Sequence, residues 1–169
     1  MTPILKLRVG FWLIGLAVAL FGFGCSTAPK PIRSSEIYDP SADGEVQMKT
    51  ALARARKEQK LLLLDLGANW CSDSQAMYRL LTSDPALKRE IREHYLLTLI
   101  DVNDRDRANR NQTLLHRLNS PLTRGIPMLL ILKPDGTVLN TDATERLSDD
   151  SHNDPARVLA YLQKWARRP

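Results

Sequence analysis

Apolar and polar positions along the chain fall into blocks of helix and strand length. Ala51, Leu52 and Ala55 line one side of Val46–Lys60, against a charged face of Lys49, Arg54, Arg56, Lys57 and Glu58. With Asp43 available as N-cap, this block predicts an amphipathic helix. Leu61–Leu66 is a continuous apolar run carrying a single acid, Asp65, as expected of a strand buried on both faces. Gly67-Ala68-Asn69 then turns into a helical pattern from Cys71 to about Leu81. Ser83 or Asp84 caps a further helix with Pro85 in its first turn, ending near His94. Tyr95–Val102 predicts a second buried strand, and Asn111–Asn119 a helix through Leu114, Leu115 and Leu118. Pro127–Leu132 and Thr137–Asn140 flank a Pro134-Asp135-Gly136 turn and predict a hairpin. Asp154-Pro155 opens the last helix, with Val158, Leu159, Leu162 and Trp165 on its inner face. Strands alternating with helices and closing in a hairpin give an α/β fold, a mixed central sheet flanked by helices.

The residues before this domain follow a different pattern. Lys6 and Arg8 form a positive start, and Phe11–Phe23 is apolar apart from its glycines. That is right for a secretory signal and short for a membrane span. Gly22-Phe23-Gly24 then precedes Cys25. The arrangement resembles a bacterial lipobox, in which the cysteine becomes the acylated first residue, although Gly22 stands where that motif usually has Leu. The expectation is a signal peptide over 1–24, lipidation at Cys25 and a lipid-anchored protein of the bacterial cell envelope. Ser26 after the cysteine points to the outer membrane, facing the periplasm. Cleavage at an ordinary small-residue site, giving a soluble periplasmic protein, and an uncleaved anchor are the alternatives. Pro29, Pro31 and Pro40, set among Ser and Thr, make residues 25–44 read as a tether. Its proline-bearing part would reach roughly 50 Å at about 3.1 Å per residue. The domain is expected over 45–169.

Charge narrows the partners. Loss of the signal peptide removes Lys6 and Arg8 and no acid, lowering the formal charge from +5 to +3. So mild a basic balance carries no nucleic-acid footprint. The acids of Asp101-Val102-Asn103-Asp104-Arg105-Asp106 approach calcium-loop spacing but lack the glycine at position six, and a solvated loop is expected. His94, His116 and His152 are scattered without metal spacing. No metal or other cofactor is expected.

Cys71 is the centre of the chemistry. The chain has two cysteines, and lipidation of Cys25 would leave Cys71 as the only free thiol. A cysteine at a helix N-terminus faces unpaired N–H groups and the positive dipole end, which favour the thiolate. Ser74, one turn on, could donate a hydrogen bond to that thiolate, while the nearby Asp73 carboxylate opposes it.

Several of these residues together resemble the thioredoxin-like family. Trp70-Cys71 looks like its active-site start, and Asp65 matches a buried acid six residues earlier. Gly125-Ile126-Pro127 resembles the loop whose proline takes a cis bond facing the cysteine, and Lys133-Pro134-Asp135-Gly136 resembles its last hairpin turn. The resemblance implies a thioredoxin-like fold, with Cys71 as nucleophile, Asp65 as proton-handling acid and Trp70, Ile126 and Pro127 lining a substrate groove. Cys71-Ser72-Asp73-Ser74 departs from the dithiol pattern, because Ser74 occupies the place of the resolving cysteine. The expected activity is therefore monothiol thiol–disulfide exchange, in which an external thiol resolves the mixed disulfide. Its partners would be cysteine-containing proteins or a low-molecular-weight thiol. The alternative is a redox-inactive module that binds a peptide in the same groove. A single-cysteine peroxidase would need Thr or Ser at Ala68 and Pro at Leu64.

Overall fold

The computed structural model describes residues 36–102, 111–119, 125–141, 147 and 154–167. Helix α1 (Gly44–Glu58) begins where the Asp43 carboxylate accepts hydrogen bonds from the Glu45 and Val46 amides, and ends at left-handed Gln59. Its buried positions include Met48, Ala51 and Ala55, as the apolar spacing requires. Strand β1 (Leu61–Gly67) follows, with every position after Leu61 buried.

Strand β1 owes that burial to its central place. Among the described residues the sheet order is β2-β1-β3. Strand β2 (Tyr95–Asp101) runs parallel to β1, with Leu61 opposite Tyr95 and Gly67 opposite Asp101. Strand β3 (Met128–Leu132) runs antiparallel, with Leu62 opposite Leu132 and Leu66 opposite Met128. Leu62, Leu64 and Leu66 pack with Ile100 and Leu130 against α1 and against Leu114 and Leu115 of α4 (Gln112–Arg117). Leu63 and Ile131 face the other way, toward Met77 and Leu81 of α2 (Ser72–Ser83) and Leu87 of α3 (Pro85–His94). Val158, Leu162 and Trp165 of α5 (Pro155–Ala166) complete that second layer. Alternation along the strand puts Asp65 on this second face. The mixed, doubly covered sheet agrees with the expectation from the sequence.

The caps behave as their residue types dictate. Asp84 accepts from the Ala86 and Leu87 amides with Pro85 in the first turn of α3, and Asp154 accepts from Ala156 at the start of α5. Helix α4 is shorter than expected, bounded by the left-handed residues Asn111 and Asn119.

The hairpin differs from expectation. Its turn forms, with Gly136 at φ 95° and its amide bonded to the Lys133 carbonyl. The strand expected over Thr137–Asn140 is reduced to an isolated bridge between Leu132 and Val138. The cause is Asn140, whose buried side chain takes over where the backbone would have paired. Its Oδ1 accepts from the Ile131 amide at 2.8 Å, and its Nδ2 donates to the Leu129 carbonyl at 2.8 Å. One carboxamide supplies both a donor and an acceptor, as a peptide unit does.

A second difference concerns residues 36–43, assigned above to the tether. Tyr38 is fully buried against the domain. The signal segment, Cys25 and tether residues up to 35 lie outside the described residues, as do 103–106 of the acidic run and His152. Among the described residues no helix is long and apolar enough to cross a membrane.

Candidate functional site

The sheet delivers Cys71 to a helix start. The turn after β1 is fixed by the Cys71 amide, which donates to the Ala68 carbonyl at 3.1 Å, and by Gln75, whose side chain donates to the Asn69 carbonyl. Cys71 is the N-cap of α2, with extended backbone angles (φ −85°, ψ 117°) and a side chain that caps no amide. Freed from capping, the sulfur points across to the loop before β3, with Sγ 3.6 Å from the Ile126 carbonyl oxygen. The Ile126–Pro127 bond is cis, as the resemblance implies. Cys71 is 8% exposed, whereas its neighbour Trp70 is 45% exposed and so lies at the rim. Cys71 thus meets the Ile126–Pro127 loop, with Trp70 as its exposed chain neighbour.

Behind the thiol lies a buried polar cluster. Asp65 is fully buried, and the Tyr38 hydroxyl donates to its Oδ2 at 3.0 Å. The same hydroxyl is 3.3 Å from the Ser74 carbonyl oxygen in the first turn of α2. Burial pushes the Asp65 carboxyl up to about 7, a rise that the Tyr38 hydrogen bond opposes. Burial, and next the negative charge of Asp65, push the Tyr38 hydroxyl well above its usual range, so it stays a donor. Asp65 Oδ1 and Ser74 Oγ are buried without a hydrogen-bond partner of good geometry among the described residues. The hydrogen bond expected from Ser74 to the Cys71 sulfur is therefore not made. The sulfur has turned toward Ile126, and the serine remains beneath the helix end.

Sequence reasoning missed the two residues that close this cluster. Asn69 Oδ1 accepts from the Ile37 and Tyr38 amides at 2.8 and 2.9 Å, and its Nδ2 donates to the Tyr38 carbonyl at 2.6 Å. The Tyr38 ring then lies on Gly67, where a Cβ would come within 2.4 Å of the ring carbon Cζ. Only glycine admits the ring there. The signal available in the sequence was Ile37-Tyr38, a pair of bulky apolar residues in an otherwise small and polar stretch.

The other candidates stay apart from this site. His94 and His116 are exposed, on α3 and α4. Asp101 stands opposite Gly67 at the end of β1, and its backbone carbonyl accepts from the Asn111 side chain. Among the described residues no group of three His, Cys, Asp or Glu is placed to hold a metal ion.

Comparison with known proteins agrees with this geometry. A thioredoxin-like family model matches residues 45–134. The thiol:disulfide interchange protein DsbD 1 of Pseudomonas aeruginosa is 33% identical over 104 residues, 57% of this chain. The match spans only 17% of that longer protein. A disulphide isomerase from Xylella fastidiosa Temecula1 superposes with a TM-score of 0.67 at 30% identity, covering 78% of this chain and 98% of that one. The C-terminal domain of Neisseria meningitidis DsbD in its oxidised form has the same fold, with a TM-score of 0.52 at 17% identity, over 73% of this chain and 96% of that domain. With the family model covering more than half of its length, the chain belongs to the thioredoxin-like family.

Proposed function

We propose that this protein carries out thiol–disulfide exchange through Cys71, as a monothiol. The observation that carries the reading is Cys71 at the N-cap of α2, facing the Ile126–Pro127 loop, with a buried serine where a second thiol would stand. Deprotonated Cys71 attacks a substrate disulfide, forms a new S–S bond and expels the other half as a thiolate, which takes up a proton. An external thiolate then attacks the mixed disulfide and releases Cys71. Each step exchanges one S–S bond for another, so no net oxidant is consumed. The names of the Pseudomonas and Xylella relatives, an interchange protein and an isomerase, support this chemistry.

The substrates in this reading are cysteine-containing proteins or a low-molecular-weight thiol, met outside the cytoplasm. The N-terminal pattern supports export, with a lipid on Cys25 holding the domain at the envelope and the outer membrane as the destination. Trp70, Ile126 and Pro127 form the groove that receives the substrate.

One observation favours a second reading, a peptide-binding module without redox turnover: Cys71 is only 8% exposed and its thiol donates to a carbonyl. Trapping separates the two. Incubation with oxidised glutathione gives a mixed disulfide by mass spectrometry, lost in Cys71→Ser. If Cys71 in the folded protein takes neither glutathione nor an alkylating reagent, exchange is ruled out and the binding module stands.

A further inference from the structure

We propose that Tyr38, from the segment before α1, is a positioning residue for the thiol chemistry at Cys71, holding the Asp65 carboxyl beneath the first turn of α2 and sealing it from water. The proposal rests on the reading of Cys71 as the reacting thiol. Tyr38 lies before the 45–134 segment that the family model matches.

Three contacts fix the phenol independently. Asn69, two residues before Cys71, clamps the Ile37 and Tyr38 backbone with three hydrogen bonds. Gly67 gives the ring its seat. The hydroxyl then bridges the Asp65 Oδ2 and the Ser74 carbonyl. Clamp, seat and bridge all act at the β1–α2 junction that carries Cys71.

The surroundings of Asp65 leave Tyr38 in charge of it. Its cross-strand neighbours are Leu99 on β2 and Leu129 on β3, both apolar. On the same sheet face, Asp101 stands opposite Gly67 and is an acid, which cannot stabilise a second negative charge. From α2 come Ser74, whose Oγ makes no bond to the carboxylate, and Cys71, whose thiol donates instead to the Ile126 carbonyl. Of the buried residues of α3 and α5, Leu87, Val158, Leu162 and Trp165 carry no charge, and Glu90 of α3 is a further acid, which cannot support ionised Asp65 either. Among the described residues the Tyr38 hydroxyl is thus the donor that supports ionised Asp65. Without it the carboxyl keeps its proton to higher pH, and the first turn of α2, which Cys71 caps, loses a negative charge bridged to it through Tyr38.

The test uses the full chain, with the Asp65 carboxyl followed by carbon-13 NMR and Cys71 by its alkylation rate with iodoacetamide, both from pH 5 to 9. Tyr38→Phe keeps the ring on Gly67 and removes only the hydroxyl. It is expected to raise the Asp65 titration midpoint by about one pH unit, the scale of one hydrogen bond to a charged group. The alkylation profile should change in the same pH range. Asn69→Ala, which loosens the clamp and leaves the phenol, should move both curves the same way and serves if Tyr38→Phe does not fold. In an Asp65→Asn background Tyr38→Phe should leave the alkylation profile unmoved. Unmoved curves in a folded Tyr38→Phe protein overturn the proposal, and so does an acid that shifts while the thiol profile stays put. A wild type that alkylates at Cys71 yet forms no mixed disulfide would overturn the exchange reading instead.

Discussion

Asp65 is a carboxyl set in an apolar strand, with one oxygen bonded to Tyr38 and the other without a partner among the described residues, and its titration bears on the stability of the fold. Its carboxyl rises from 3.8 to about 7 on burial. Between those values the folded protein keeps a proton that the unfolded chain has lost. Stability from this group is therefore full below about pH 4, falls as pH rises to about 7 and is level above. Asp65→Asn keeps an acceptor for Tyr38 and removes the charge. We expect it to match the wild type at pH 4 and to exceed it at pH 8 by about 1–3 kcal/mol, read from urea denaturation at the two pH values. Equal differences at both would show that Asp65 does not titrate on unfolding. At this scale the sequence was partly readable. Cys71, Asp65 and Pro127 were recognisable because each stands in a short stretch that resembles a motif of the thioredoxin-like family. Tyr38 was not, since the bulky Ile37-Tyr38 pair marks a docking point but its partner Asp65 is 27 residues away.

Elements follow the pattern of apolar positions wherever backbone pairing alone decides them. Strand β1 is readable because both its edges and both its faces are covered, so nearly every position had to be apolar. The hairpin was readable as far as Leu139, whose amide donates to the Ile131 carbonyl; beyond it Asn140 ends the second strand with a side chain that imitates a peptide. Asn140 Nδ2 also reaches the Tyr161 hydroxyl at 2.7 Å, so one residue joins β3 to α5. Asn140→Ala leaves the Ile131 amide and the Leu129 carbonyl buried without these partners. The expected loss is about 2–4 kcal/mol in chemical denaturation, from two orphaned backbone groups. A loss under about 0.5 kcal/mol would mean that the chain after Leu139 re-pairs with β3 as an ordinary strand.

The whole molecule is wider than the segment by which its family is recognised. The family model ends at residue 134, before Asn140 and before α5, whose Val158, Leu162 and Trp165 close one face of the sheet. It begins at residue 45, after Tyr38. The general architecture was legible because alternating strands and helices admit few arrangements, while the contribution of the leading segment was hidden by its prolines. A chain beginning at Glu45 should unfold at lower denaturant than one beginning at Glu36, and its Cys71 should react with a different pH profile. Equal midpoints and profiles would show the leading segment to be dispensable. The clamp of Asn69 on Tyr38 thus bears on how such a domain can be borrowed. Grafting 45–134 into another protein would transplant the thiol but leave Asp65 uncovered, so this cluster is not a portable cassette and travels only with the segment that carries Tyr38.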